Sequence, residues 1–147
     1  MSNPPRLVDT RVRHVNNGDC PKCEEILNRF AGCHPMLVDW FVQLQKRHPE
    51  AHISCAGRGR KDQEDAKKRG ASKASYGESA HNYNMALDLF KMHQSGAEWP
   101  RDWFNEVVGK SLPGWLTWYG APGSKFFELP HVEVTNWRSD QRKKLVE

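Results

Sequence analysis

Asp88 sits in the run Ala86-Leu-Asp-Leu-Phe90, an acidic side chain among apolar residues that read as a short buried strand. An ionised carboxylate in such a setting is costly unless something pairs with it. A divalent cation is one such partner, and groups able to share it lie in two stretches. His81 stands seven residues before Asp88, in Ser79-Ala-His81-Asn-Tyr-Asn84-Met-Ala86-Leu-Asp88. The second stretch is Glu128-Leu-Pro-His131-Val-Glu133, where His131 opens a strand-like run and Glu128 precedes it by three. Two imidazoles and one carboxylate make a catalytic zinc set, because such sites use three protein ligands and leave a fourth position to water. A spare carboxylate beside that water can act as general base. Spacing alone leaves the alternative open: in a chain with seven His residues, such groups also fall near one another by chance.

At 147 residues the chain is read as one domain with a single core. Hydrophobic residues make up only 37% and mean hydropathy is −0.81, but six Trp can supply much of the buried area. There is no apolar run long enough for a membrane span, so stable membrane insertion is not expected. The segment Met1-Ser-Asn-Pro-Pro-Arg-Leu-Val-Asp9 lacks an apolar h-region. The chain is therefore expected to begin in the cytoplasm. Net charge is +4 with a pI near 8.9. Lys67-Lys68-Arg69 and the run Arg138…Arg142-Lys143-Lys144 read as solvated helix faces, with an anionic wall or membrane surface as the functional alternative. Aromatics are not interleaved with Lys and Arg as a base-stacking surface requires, so nucleic acid is not expected as a partner.

In chain order, residues 1–18 read as a polar lead-in. Asp19 is expected to cap a helix opened by Pro21 and stopped at Gly32. A second helix follows Pro35, with Met36, Leu37, Trp40, Phe41 and Leu44 on its core face, and Pro49 ends it. His52–Ala56 is a strand candidate, Lys61–Arg69 a charged, exposed helix, and Ala71–Glu78 a loop crossing the mouth of a site. Pro100 at a helix N1 leads into Trp103, Phe104, Val107 and Val108. Strand fragments and turns follow over residues 115–123, and Phe126 leads into the second stretch. Trp137–Glu147 reads as a terminal basic helix. The fold class expected is α+β, a small, mostly antiparallel sheet carrying the metal site and flanked by helices.

Cys20-Pro-Lys-Cys23, Cys33-His34 and Cys55 raise a structural zinc reading, but no matching second half follows downstream. Reduced buried thiols are the default in a reducing cytoplasm.

The first stretch resembles the Ser-x-His-x-x-Gly-x-Ala-x-Asp signature of zinc peptidases that cut D-amino-acid-containing peptides of bacterial cell walls. These are the VanY-like D-Ala-D-Ala peptidases and the phage L-alanoyl-D-glutamate endopeptidases. The second resembles their Glu/Asp-x-x-His signature. Resemblance covers about residues 50–136, and the helices over about 20–48 match in general character only. It implies zinc as cofactor, with His81, Asp88 and His131 as ligands. Glu128 would be the general base, moving a proton from a zinc-activated water to the leaving amine. Ser79 would hydrogen-bond near the site. Glu133 either orients a ligand or faces solvent. Arg58 matches the arginine of the family's Ser-Gly-Tyr-Arg segment, which stabilises negative charge on substrate and oxyanion, and Arg60 is the alternative. Here that segment reads Cys55-Ala-Gly-Arg58, without its tyrosine, and the motif glycine is Asn84. Asn tolerates the left-handed conformation that a glycine there would serve. Phe126-Phe-Glu-Leu-Pro-His-Val-Glu133 resembles the phage branch. That branch implies a monomeric endolysin held in the host cytoplasm until lysis. It would act on peptidoglycan stem peptides, at the L-Ala–D-Glu bond. The alternatives are a D-Ala-D-Ala carboxypeptidase and a non-enzymatic zinc-stabilised binding module.

Overall fold

The computed structural model describes residues 21–93, 96–124 and 127–147, with side chains from residue 25 onward. The lead-in, the Asp19 cap, the Cys20 and Cys23 side chains and Phe126 lie outside the described residues. Helices α1 (Pro21–Ala31) and α2 (Pro35–Arg47) come first, then β1 (Ala51–Cys55) and α3 (Arg60–Lys68). A 3-10 turn over Ala80–Tyr83 leads into β2 (Ala86–His93) and β3 (Gly96–Glu98). Helix α4 (Arg101–Val107), β4 (Leu116–Trp118) and β5 (His131–Val134) complete the elements that build the core. The fold is α+β, and every strand pairing is antiparallel, in the order β1-β2-β5-β4 with β3 also against β2.

Apolar spacing explains the core. Leu37, Trp40, Phe41 and Leu44 recur at helical intervals along α2 and are buried. Phe30 of α1 meets Phe41 edge-on at 5.6 Å. On the sheet, Leu89 stands opposite Ile53, and Leu87 opposite Val132, which itself faces Trp118 across β4. Alternation along each strand then turns Asp88, His131 and Glu133 to the opposite face.

Four expectations need correction. Met36 is 40% exposed, because it falls one residue off the buried stripe of α2. Pro100 is the cap of α4 and not its first residue, since its backbone is extended at ψ 127°. Helix α3 is not simply a solvated face: Gln63 and Ala66 are buried. Trp137–Glu147 is not a helix. Only Trp137–Ser139 makes a 3-10 turn, after which the backbone bonds to other segments.

Asn84 closes the 3-10 turn in the left-handed region at φ 62°, and its amide bonds back to the Ala80 carbonyl. That conformation costs a residue with an ordinary Cβ roughly 1–2 kcal/mol. Asn84→Ala is therefore expected to lose about 1 kcal/mol or more of unfolding free energy in urea, and Asn84→Gly much less.

Candidate metal centre

The sheet register builds the site. Asp88 of β2 is the direct partner of Cys55 on one side and of His131 on the other. Tyr119, just past β4, donates its amide to the His131 carbonyl at 3.0 Å. One line across the sheet thus carries a thiol, a carboxylate, an imidazole and a phenol. His81 reaches this line from the 3-10 turn, where Ser79 Oγ accepts the His81 amide at 3.2 Å and caps the turn.

Asp88 Oδ1 lies 3.2 Å from His81 Nε2 and 3.1 Å from His131 Nδ1. The far nitrogen of each ring is anchored. His81 Nδ1 is 2.7 Å from the Ala56 carbonyl, and His131 Nε2 is 2.8 Å from Glu133 Oε1. A carbonyl accepts only, so His81 Nδ1 carries a proton, and Nε2 is the nitrogen that faces Asp88, donating to it when protonated and open to a cation when not. Glu133 imposes the same order on His131, with Nδ1 inward. Tyr119 supports it from behind, donating its hydroxyl to Glu133 Oε2 at 2.8 Å and stacking on the His131 ring at 4.9 Å. Burial, then Glu133, push the Tyr119 hydroxyl up to about 12, so it remains a donor at working pH.

Glu128 is half exposed at the mouth, with Oε2 3.7 Å from His131 Nδ1. It borders a cleft of about 630 Å³ that is also lined by His131, Phe127, Ser79 and the loop from Ala71. Arg58 lies on the other side of Asp88, its Nη2 3.9 Å from Asp88 Oδ2 and 3.3 Å from Cys55 Sγ. Its Nη1 donates to Gln63 Oε1 at 3.0 Å. Arg60 is turned away and stacks on Tyr76 at 4.5 Å.

Sequence reasoning missed Cys55 and Tyr119 here, whereas Gln63 is the glutamine that follows the site arginine by five in the resembled segment. Cys55 stands where the resembled segment has serine, which was the available signal. Cys55, His81 and Asp88 also form a group whose donor atoms lie within 4.8 Å of one another. Two donor sets thus share His81 and Asp88. On the Cys55 side a cation would face the Arg58 guanidinium, and His81 Nδ1 is committed to the Ala56 carbonyl. On the His131 side the donors are two anchored imidazoles and a carboxylate. Both sets offer donor types that zinc accepts. Cys33, the other described thiol, is buried, and burial pushes it up to about 12. His34 beside it caps α2, Nδ1 accepting the Met36 amide at 3.0 Å.

No family model matches the sequence, and no curated protein matches it. The crystal structure of Serratia marcescens L-Ala D-Glu endopeptidase ChiX is similar in fold, with a TM-score of 0.61 at 19% identity. The match covers 75% of this chain and 86% of that one. The two chains share a fold.

Charge coupling at the centre is strong. Burial would raise the Asp88 carboxyl, but the His81 charge and bonds from both imidazoles outweigh it and hold it far below the usual range. Burial opposes charge on the imidazoles too. Even so, the Cys55 and Asp88 charges raise His81, and bonds to Asp88 and Glu133 raise His131. Without an ion, protons therefore occupy nitrogens that an ion would need. Zinc affinity is expected to fall as pH drops through the raised imidazole values, with protons released on binding. Titration calorimetry in buffers of different ionisation enthalpy measures that release; affinity independent of pH would contradict it.

Proposed function

We propose that this chain is a zinc-dependent peptidase of bacterial cell-wall stem peptides, cutting between L-Ala and D-Glu. The observation that carries the reading is Asp88 Oδ1 receiving two anchored imidazoles beside the Glu128 carboxylate at a cleft. The likeness in fold to an L-Ala D-Glu endopeptidase supports the choice of substrate. Peptidoglycan is then the partner, and lysis of a bacterial host by a phage enzyme is the setting that fits the motif resemblance.

In this reading His81, Asp88 and His131 hold the ion. Bound zinc would supply Lewis acidity, making a water more acidic and the scissile carbonyl more electrophilic. Glu128 Oε2 takes the proton of the attacking water and hands it to the leaving amine nitrogen. Its half-exposed position at the cleft leaves it open to a substrate. Glu133 and Tyr119 keep His131 Nδ1 inward. Arg58 steadies the outer oxygen of Asp88 from the side away from the Glu128 cleft, and its role in stabilising negative charge on the substrate rests on the motif resemblance.

Purified protein loaded with zinc is expected to release amines from peptidoglycan, with D-Glu as the new N-terminus. Glu128→Ala should keep its zinc and lose about 10²–10⁴-fold in rate. Release of terminal D-Ala alone would replace this reading with the carboxypeptidase. Zinc binding without amine release from the wild type would remove the enzyme claim.

A further inference from the structure

The turn that carries His81 is a run of backbone in which each carbonyl needs a donor. From Ser79 to Asn84 every one has a donor. Ser79 and Ala80 are served from within the turn and its exit, by the Asn82 and Met85 amides. The others are served from elsewhere. His81 accepts from the Arg58 amide at 2.9 Å, and Asn84 from the His34 amide at 3.0 Å. Asn82 accepts from the Val146 amide at 2.7 Å, and Tyr83 from the Lys144 amide at 3.2 Å. The two carbonyls that follow His81 thus depend on residues 144–147.

The same segment grips the loop that bears Arg58. The Val146 side chain is buried, 3.4 Å from where a Cβ on Gly57 would lie. A Cβ on Gly59 would collide with the Glu147 carbonyl, so that glycine admits the segment's backbone. Tyr76 donates its hydroxyl to the Val146 carbonyl at 2.6 Å, adding an anchor from the loop over the cleft. Asn82 completes the lock from inside, Nδ2 donating to the Arg58 carbonyl at 2.9 Å and to Gln63 Oε1 at 3.1 Å.

We infer that residues 144–147 are a positioning strap, which sets His81 and Arg58 relative to each other by binding the backbone behind both. None of residues 144–147 lines the cleft beside Glu128 or the pocket beside Asp88 and Arg58, so their effect passes through the turn and the loop. The inference rests on the metal-centre reading for its readout in zinc affinity, but not for its backbone claim.

The test compares wild type, a deletion of residues 144–147, and Gly59→Ala, which keeps the chain length and pushes the strap off. Zinc affinity is measured by competition with a chromophoric chelator, and amide hydrogen exchange is followed at Arg58. Both variants are expected to bind zinc about 10–100-fold more weakly, the usual scale for losing support behind a ligand. The Arg58 amide should exchange faster in both. A lower melting temperature with unchanged zinc affinity and unchanged Arg58 exchange would overturn the strap. If wild type itself binds no zinc, the metal reading fails, and the Arg58 exchange alone decides the strap. Should the deletion not fold, Gly59→Ala carries the same comparison.

Discussion

The carboxylate of Asp88 is the charge around which this site is built. It is set on the central strand of the sheet, between β1 and β5, with little access to water. Its ionised form persists because the two imidazoles and Arg58 surround it. Such a cluster is expensive to assemble and worse to break, since removing one partner leaves the rest uncompensated. Here both rings are tied at their far nitrogens and aim their near ones at a single oxygen, an arrangement that orders lone pairs.

Register does the rest. In an antiparallel sheet, directly opposed residues are neighbours on one face, so the pairing of Cys55, Asp88 and His131 brings together groups far apart in sequence. A slip of one residue would send His131 to the core face and Val132 to the site. Leu87, Leu89 and Val132 on the apolar face therefore guard the chemistry on the other. Among the described residues, no helix is long and apolar enough to cross a membrane.

Much of this was legible in the sequence. An acid inside an apolar run marked β2, His-Val-Glu-Val marked β5, and Asn84 marked a left-handed residue, because each is a local signal. Other features depend on partners distant in the chain. Cys55 joins the line only through a register shift between Ile53 and Cys55, which its own residues do not declare. Gln63 lies in a highly charged helix, yet its amide is buried by Ser72 and Ala74, which accept from it. The basic terminal run has helical composition, but the unpaired carbonyls of the His81 turn compete for its amides and win. Met36 fell outside the buried stripe by one position.

In the proposed reading His131, not Cys55, completes the ligand set with His81 and Asp88. X-ray absorption at the zinc edge, on protein loaded with one equivalent, tests it most directly. The expected result is a shell of imidazole nitrogen and carboxylate oxygen at about 2.0–2.2 Å with no sulfur. A sulfur scatterer at about 2.3 Å would put Cys55 on the ion and contradict it.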